Sequence, residues 1–170
     1  MPTPAVVPWQ PTKAAHLICL ALAQVGKQYV YGIEGQPDLL LDSWDCSEYV
    51  QHMLAIAGVD AVTDDSDPPL VTPIGNFDGA GFQYERCHHI GLTQAIETPG
   101  ALLFVQSASL YHGKPHDIGH VAISLGVHAG TGFLVEARGK AYGVVVSPVR
   151  GSFTLAGKVR ELYTPAVVSV

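Results

Sequence analysis

The chain has 170 residues, of which 48% are hydrophobic and 14% charged, with 18 glycines and 12 prolines. This composition is typical of a globular protein with many turns and excludes a disordered or fibrous chain, so we expect one domain over residues 1–170, with a core from about 12 to 165. The formal net charge of -6 argues against nucleic-acid binding, which relies on clustered Lys and Arg.

The start of the chain does not resemble a targeting segment. MPTPAVVPWQPTKAAH lacks a basic start followed by an apolar run and a small-residue cleavage site, so we expect no signal peptide. The longest apolar stretch, residues 17–25, is far shorter than the roughly 20 residues that span a bilayer. We therefore expect no membrane span, and export by another route.

The first predicted helix covers residues 12–25, where apolar side chains recur among small residues and Gly26 supplies a stop. Free cysteines are usually buried, so Cys19 is expected in the core. A short aromatic segment at 28–32 and a loop with Gly and Pro at 33–41 follow.

A second predicted helix, residues 44–57, begins beside the best candidate nucleophile. Its apolar side chains recur with a period near 3.6, and Ser43 or Asp45 can cap it. Cys46 then falls in the first turn, where unpaired backbone N–H groups and the helix dipole stabilise a thiolate. Cys87 lies in an irregular region, and no CxxC spacing indicates a disulfide framework or a thiolate zinc site.

The second half of the chain is strand-like. Residues 58–98 are rich in Asp and Pro, which is typical of turns and loops, and only a short helix around 77–89 is predicted there. The predicted strands are 101–106, 120–126, 132–137 and 142–149. Early helices followed by adjacent strands predict an α+β fold with the helices on one side of an antiparallel sheet.

His120 and Glu136 are the candidate base and orienting residue. A hairpin centred on His128 would place them opposite each other, with apolar pairs on the other face. A carboxylate beside a histidine holds its tautomer and raises its basicity. Each residue alone is more often an ordinary polar side chain, but the joint pattern with Cys46 favours a catalytic triad. Activity is then expected to fall when His120 becomes protonated.

A metal site is the alternative for part of this region. His112, His116 and His120 are four residues apart, a spacing that would align metal ligands on one helix face. Gly113 and Pro115 break such a helix. We therefore expect no metal and no cofactor.

Several segments resemble one enzyme family. WDCSEYVQHML resembles the nucleophile segment of NlpC/P60 cell-wall peptidases, in which Asp-Cys-Ser precedes a helix. In the same chain order, QVGKQYVYG resembles the family's segment with an active-site tyrosine, TPGALLF its entry to the first sheet strand, GHVAISLG the strand that bears the base, and FLVEARG the position of the third catalytic residue. The resemblance runs from about residue 15 to 139.

This resemblance implies a papain-like α+β fold and a cysteine endopeptidase. Its substrate would be the stem peptides of peptidoglycan, cleaved between γ-D-glutamyl and a diamino acid. Cys46 would be the nucleophile, His120 the general base and Glu136 the orienting residue. Tyr29 would join the Cys46 N–H in the oxyanion hole.

The resemblance also has consequences for the substrate groove. Asp45 and Ser47 are expected to contact polar or charged ends of the substrate. Glu48 stands where the family usually has glycine and could reshape the groove, while Glu136 stands where most members have histidine. The long segment 58–98 exceeds the family pattern and is expected to form one wall.

The sequence leaves open the origin of the protein and several alternatives to the endopeptidase function. EARGKAYGVVVSPVR resembles bacteriophage and prophage versions of the domain, which implies an endolysin or virion-borne hydrolase delivered without a signal. A related amidase, a transacylase or an antibacterial effector would use the same triad. A phage structural or wall-binding domain is the non-enzyme alternative, although it has no chemical need for all three residues. The oligomeric state is left undetermined.

Overall fold

A computed structural model of the protein describes residues 12–34 and 40–163. Most of the predicted 33–41 loop, the N-terminal segment in which no signal was recognised, and the last residues of the expected core lie outside these ranges. The α-helices are α1 (Lys13–Leu22), α2 (Cys46–Ile56), α3 (Ala80–Arg86), α4 (Leu92–Glu97) and α5 (Ala108–Tyr111). The strands are β1 (Gln28–Tyr29), β2 (Ser43–Trp44), β3 (Ala61–Thr63), β4 (Val71–Pro73), β5 (His88–His89), β6 (Leu102–Gln106), β7 (Ile118–His128), β8 (Thr131–Ala137), β9 (Val144–Pro148) and β10 (Leu155–Lys158). None of the helices in the described ranges has the length and apolar character needed to cross a membrane.

A six-stranded sheet forms the centre of the molecule. Its strand order is β5-β10-β6-β7-β8-β9, and every neighbouring pair is antiparallel. The predicted α+β class with an antiparallel sheet is confirmed. Strand β10 was not predicted, because LAGK is short and lacks the β-branched and aromatic residues that mark a strand.

Helices cover both faces of this sheet. Helices α1, α2 and α3 contribute to the larger core, while α4 packs on the opposite face against side chains such as Leu103, Ala122 and Leu134. The expectation that the helices lie on one side is therefore incomplete. Helix α4 has six residues, too few to show a helical period in the sequence.

Helix α1 is amphipathic rather than buried all round. Thr12 caps it by accepting a hydrogen bond from the Ala15 N–H at 3.2 Å. Leu17 faces the core and is fully buried, whereas Cys19 is exposed. The prediction of a buried Cys19 is wrong, because two residues turn a helix by roughly 200° and carry Cys19 to the far side from Leu17.

Helix α2 begins at the candidate nucleophile. Of the two possible caps, Asp45 takes the position: its Oδ1 accepts the Glu48 N–H at 2.9 Å. The predicted apolar positions are buried and anchor the helix on β7. Cys46 is thereby fixed in the first turn, as predicted.

The β7–β8 hairpin has a different register from the predicted one. Ile123 pairs with Val135 rather than Phe133. The turn residues Ala129 and Gly130 have φ values of 48° and 78°, and two consecutive positive φ values suit a tight hairpin turn that follows the twist of the strands. Up to Ser124 the shift is two residues, an even number, so the side chains there keep their predicted faces of the sheet. A bulge between Ser124 and Gly126 changes the shift to three residues next to the turn.

Our first prediction concerns the buried thiol of Cys87. A side chain on Gly157 of β10 would overlap the Cys87 sulfur, whereas Gly151 has no neighbouring atom within 4 Å of such a side chain. Gly157→Ala is expected to lower the free energy of unfolding by about 2 kcal/mol, because overpacking forces the neighbours to move. Gly151→Ala serves as the control. Urea denaturation measures both, and equal midpoints for the two variants would contradict this packing.

Candidate active site

Cys46 lies in a cleft of about 380 Å³. Only 8% of the residue is exposed, and its Sγ lies 3.9 Å from the carbonyl oxygen of Gly119 on β7. The N-terminus of α2 thus meets the beginning of the longest strand. The cleft is lined by residues from the segments 29–34, 45–48, 78–82 and 114–119.

The strand is irregular where it meets the nucleophile. Val105 of β6 pairs with His120, but Gln106 pairs with Ile118, so Gly119 is an extra residue in β7. Such a bulge bends the strand and redirects the adjacent side chain, and bulges are common beside active sites. The first glycine of GHVAISLG is the sequence signal that could have located this bulge, because an isolated glycine within a strand pattern often marks one.

The structure brings the three predicted residues together. His120 Nε2 lies 2.6 Å from Oε2 of Glu136. The other hydrogen-bonding partner of the ring is the side chain of Cys46, which leaves Nδ1 for the thiol. His120 and Glu136 are not directly opposite, because the register is shifted, but they lie on the same face of the hairpin and meet diagonally.

The electrostatics of His120 favour the charged ring. Burial by itself would lower its pKa, but hydrogen bonds to Cys46 and Glu136 and their negative charges raise the pKa to about 9. The imidazole therefore holds its proton at neutral pH, between the Cys46 sulfur and the Glu136 carboxylate. A ring that already carries its proton at neutral pH does not fit the expectation from the sequence that activity falls when His120 becomes protonated.

Glu136 has a partner that sequence reasoning missed. Its side chain is fully buried, which would raise its pKa, but hydrogen bonds from Arg150 and His120 lower the pKa to about 2. Arg150 binds both carboxylate oxygens: Nη2 donates to Oε2 at 2.8 Å, and Nη1 donates to Oε1. Ser147 donates to Oε1 at 3.1 Å. Only the register of β9 against β8 reveals these partners.

Tyr29 also borders the cleft. Burial, followed by the negative charges of Cys46 and Asp45, raises the pKa of Tyr29 well above its usual range. The phenol therefore keeps its proton and can donate a hydrogen bond near the sulfur. This is the chemistry that an oxyanion-hole donor needs.

The two predicted substrate contacts have protein partners. Asp45 and Ser47 line the cleft, but Asp45 accepts hydrogen bonds from the Gly32 N–H at 3.1 Å, the Ser47 hydroxyl at 3.2 Å and the Glu48 N–H. Asp45 thereby ties the loop after β1 to the start of α2. Contact of Asp45 and Ser47 with substrate stays a prediction.

The segment 58–98 forms one wall of the cleft, as expected, through residues 78–82. Glu48 borders the cleft as well. It is 5% exposed, and its carboxylate lies 2.8 Å from Nε2 of His52, which is fully buried. Much of the Glu48 charge is therefore directed into the protein.

The histidines considered as metal ligands do not share a helix. Helix α5 ends before His112, and His116 lies in a 3-10 turn with φ of 56°. Within residues 12–34 and 40–163, no group of three or more His, Cys, Asp or Glu side chains is arranged to hold a metal ion.

Comparison with known proteins identifies the fold. No family model matches the sequence, and no curated protein matches it either. The structure is similar to the NlpC/P60 domain of the peptidoglycan hydrolase SagA, with a TM-score of 0.61 and 23% identity over 85% of this chain and 97% of that one. It is also similar to the P60 domain of the antigen MAP1204 from M. avium subspecies paratuberculosis, with a TM-score of 0.60 and 25% identity over 86% and 94% of the two chains.

A third similar structure is that of the peptidoglycan hydrolase RipB from Mycobacterium tuberculosis. The TM-score is 0.58 and the identity 25%, over 86% of this chain and 64% of that chain. The shared architecture shows that this chain has the NlpC/P60 fold.

The raised pKa of His120 is directly measurable. We expect its imidazole to titrate at about pH 9 in NMR spectra of the ring nitrogens. Glu136→Gln and, separately, Cys46→Ala should each shift this midpoint to lower pH, because each removes a negative charge and a hydrogen bond from the ring. Glu97→Gln, at an exposed residue of α4, changes the net charge by the same amount as Glu136→Gln and should leave the midpoint in place. An unchanged midpoint in both site variants would refute the assigned network.

The ion pair between Arg150 and Glu136 should appear in the stability of the protein. Arg150→Met is expected to lower the free energy of unfolding by about 2 kcal/mol near neutral pH. This is less than for a fully buried pair, because the Arg150 side chain is 30% exposed. Arg138→Met is the matched control, because Arg138 Nε lies 4.0 Å from Glu136 and should contribute less than about 1 kcal/mol.

The pH dependence of this loss has a definite sign. The folded pKa of Glu136, about 2, lies below its ordinary value of 4.5, so the carboxylate stabilises the fold fully above pH 4.5 and no longer does once the pH has fallen through 2. The difference between wild type and Arg150→Met should therefore shrink from pH 4.5 towards pH 2. A difference that is constant over this range in urea denaturation would rule out the charge interaction as its cause.

Proposed function

We propose that the protein is a cysteine endopeptidase that hydrolyses amide bonds in peptidoglycan stem peptides, at the bond between γ-D-glutamyl and a diamino acid. The observation that carries the proposal is the hydrogen-bonded row of Cys46, His120 and Glu136, whose Cys46 end lines the cleft. The fold, shared with the peptidoglycan hydrolases SagA and RipB, supports the substrate class.

The chemistry follows from the geometry around the ring. The Cys46 thiolate attacks the carbonyl carbon, and a tetrahedral intermediate forms whose oxyanion accepts hydrogen bonds from the Cys46 N–H and the Tyr29 hydroxyl. The His120 imidazolium then gives its proton to the leaving amine, and the C–N bond breaks to leave a thioester on Cys46. The neutral ring next removes a proton from water, which attacks the thioester and releases the carboxylic acid and the thiolate.

Glu136 serves this cycle by holding the ring. Because Nε2 is bound to the carboxylate, the ring cannot rotate away from the thiol, and its charged form is stabilised whenever it carries the proton. Arg150 keeps the carboxylate ionised and in place. Asp45 and Ser47, which line the cleft, complete the proposal as contacts for polar groups of the peptide.

We further propose that this is a phage or prophage version of the enzyme, delivered to the wall by the phage or another route. The sequence EARGKAYGVVVSPVR supports this origin through its resemblance to such domains. The same segment contains Glu136, Ser147 and Arg150. The stretch that gives this resemblance therefore also supplies Glu136, which binds the His120 ring, and the two residues that bind Glu136.

The decisive test is digestion of purified peptidoglycan followed by mass spectrometry of the released fragments. Wild type and Cys19→Ala, which removes an exposed thiol outside the cleft, should release equal amounts of fragments that carry a new diamino-acid amino terminus. Cys46→Ala should be at least about a thousandfold slower, since removal of a nucleophile eliminates most of the acceleration.

Four other outcomes would change the conclusion. Equal release by Cys46→Ala and wild type would exclude Cys46 as nucleophile. Fragments cut at a different amide would favour the amidase alternative, while an acyl group transferred to an added amine would favour a transacylase. Binding to the wall with no fragments from any variant would favour the wall-binding alternative.

A further inference from the structure

Acidic side chains outnumber basic ones around the cleft. Among the described residues that line it, Lys114 is the only cation, whereas Glu34, Asp45, Glu48 and Asp78 are acidic. Asp45 and Glu48 are largely occupied by protein partners. A negatively charged group on a bound peptide therefore has a single favourable place in the cleft.

The Lys114 side chain is held by aromatic rings rather than by an acid. Its ammonium lies 5.7 Å from the ring centre of Tyr31 and 5.4 Å from that of Tyr111, distances that suit cation–π contacts. Tyr31 is 69% exposed, so one side of this arrangement is open to solvent. In the described part of the chain the ammonium has no carboxylate within 4.0 Å, so its charge is available to a ligand.

Close backbone packing fixes the loop that carries this lysine at the cleft lined by Cys46. The Tyr111 ring lies against Gly119, and a side chain on Gly119 would overlap it. On the other side, the Pro115 carbonyl lies against Gly81 of α3, where a side chain would also overlap. The loop that carries Lys114 is thus wedged between α3 and the strand that bears His120.

From these observations we infer that Lys114 binds a substrate carboxylate, so that the enzyme prefers stem peptides with a free carboxyl group over amidated ones. The inference rests on the proposed function and adds the recognition of a specific group. A γ-D-glutamyl-diamino acid unit offers two sources of this chemistry: the α-carboxyl group of the γ-linked glutamate and the carboxyl group of the diamino acid. An exposed ion pair of this kind contributes roughly fivefold to affinity.

The test measures binding separately from cleavage. Cys46→Ala, which cannot form the thioester, is titrated calorimetrically with three synthetic peptides containing γ-D-glutamyl-diamino acid: one with both carboxyl groups free, one amidated on the glutamate, and one amidated on the diamino acid. The free peptide should bind about fivefold more tightly than one of the two amides, and that amide identifies the carboxylate. Adding Lys114→Met should abolish this difference.

Lys158 provides a matched control. Its ammonium lies 4.1 Å from the ring centre of Tyr163, also a lysine over a tyrosine, but outside the cleft. Adding Lys158→Met to Cys46→Ala should leave the carboxylate preference unchanged. The preference should also weaken as salt increases, because exposed ion pairs are screened.

The outcomes separate this inference from the proposed function. A carboxylate preference that survives Lys114→Met, or the absence of any preference with Cys46→Ala, would overturn the role of Lys114. If wild type fails to cut these peptides while the Lys114-dependent preference is present, the hydrolytic proposal fails and the carboxylate site stands. Undetectable binding of all three peptides would count against both.

Discussion

The buried carboxylate of Glu136 is the constraint on which the site depends. An ionised group without solvent is costly unless opposite charges and hydrogen bonds compensate it, and here Arg150 and His120 both bind Oε2 while Arg150 and Ser147 bind Oε1. Because Arg150 already neutralises the charge, the carboxylate remains ionised whether or not the ring is protonated. His120 can therefore give and take its proton beside a constant partner.

The nucleophile and the base come from different layers of the protein. Cys46 belongs to the core on the α2 face, whereas Phe153, whose ring lies 5.9 Å from that of His120, belongs to the core on the α4 face. The two layers can meet only at the end of the sheet. The extra residue Gly119 allows this meeting, because a bulge redirects His120 at the point where α2 begins.

Sequence patterns predicted the features that depend on residues close together in the chain. The start of α2 and the position of Cys46 follow from a capping residue and a helical period, and the pairing of His120 with Glu136 survived a wrong register because an even shift preserves the faces of a strand. Arg150 could not be predicted in this way. It follows β9 in the chain, and its contact with Glu136 depends on long-range strand pairing that no periodicity encodes.

The elements that sequence reasoning left undefined are those that shape the cleft. Helix α3 and the loop before β7 are short, so burial of their own side chains cannot fix them, and close contacts to Gly81 and Gly119 do so instead. These glycines let the walls of the cleft pack directly against each other and against β7. A side chain on Gly119 would displace Tyr111 next to His120. The specificity of the cleft therefore cannot be changed at this point without moving His120, whereas exposed side chains such as Lys114 can change while the backbone contacts remain.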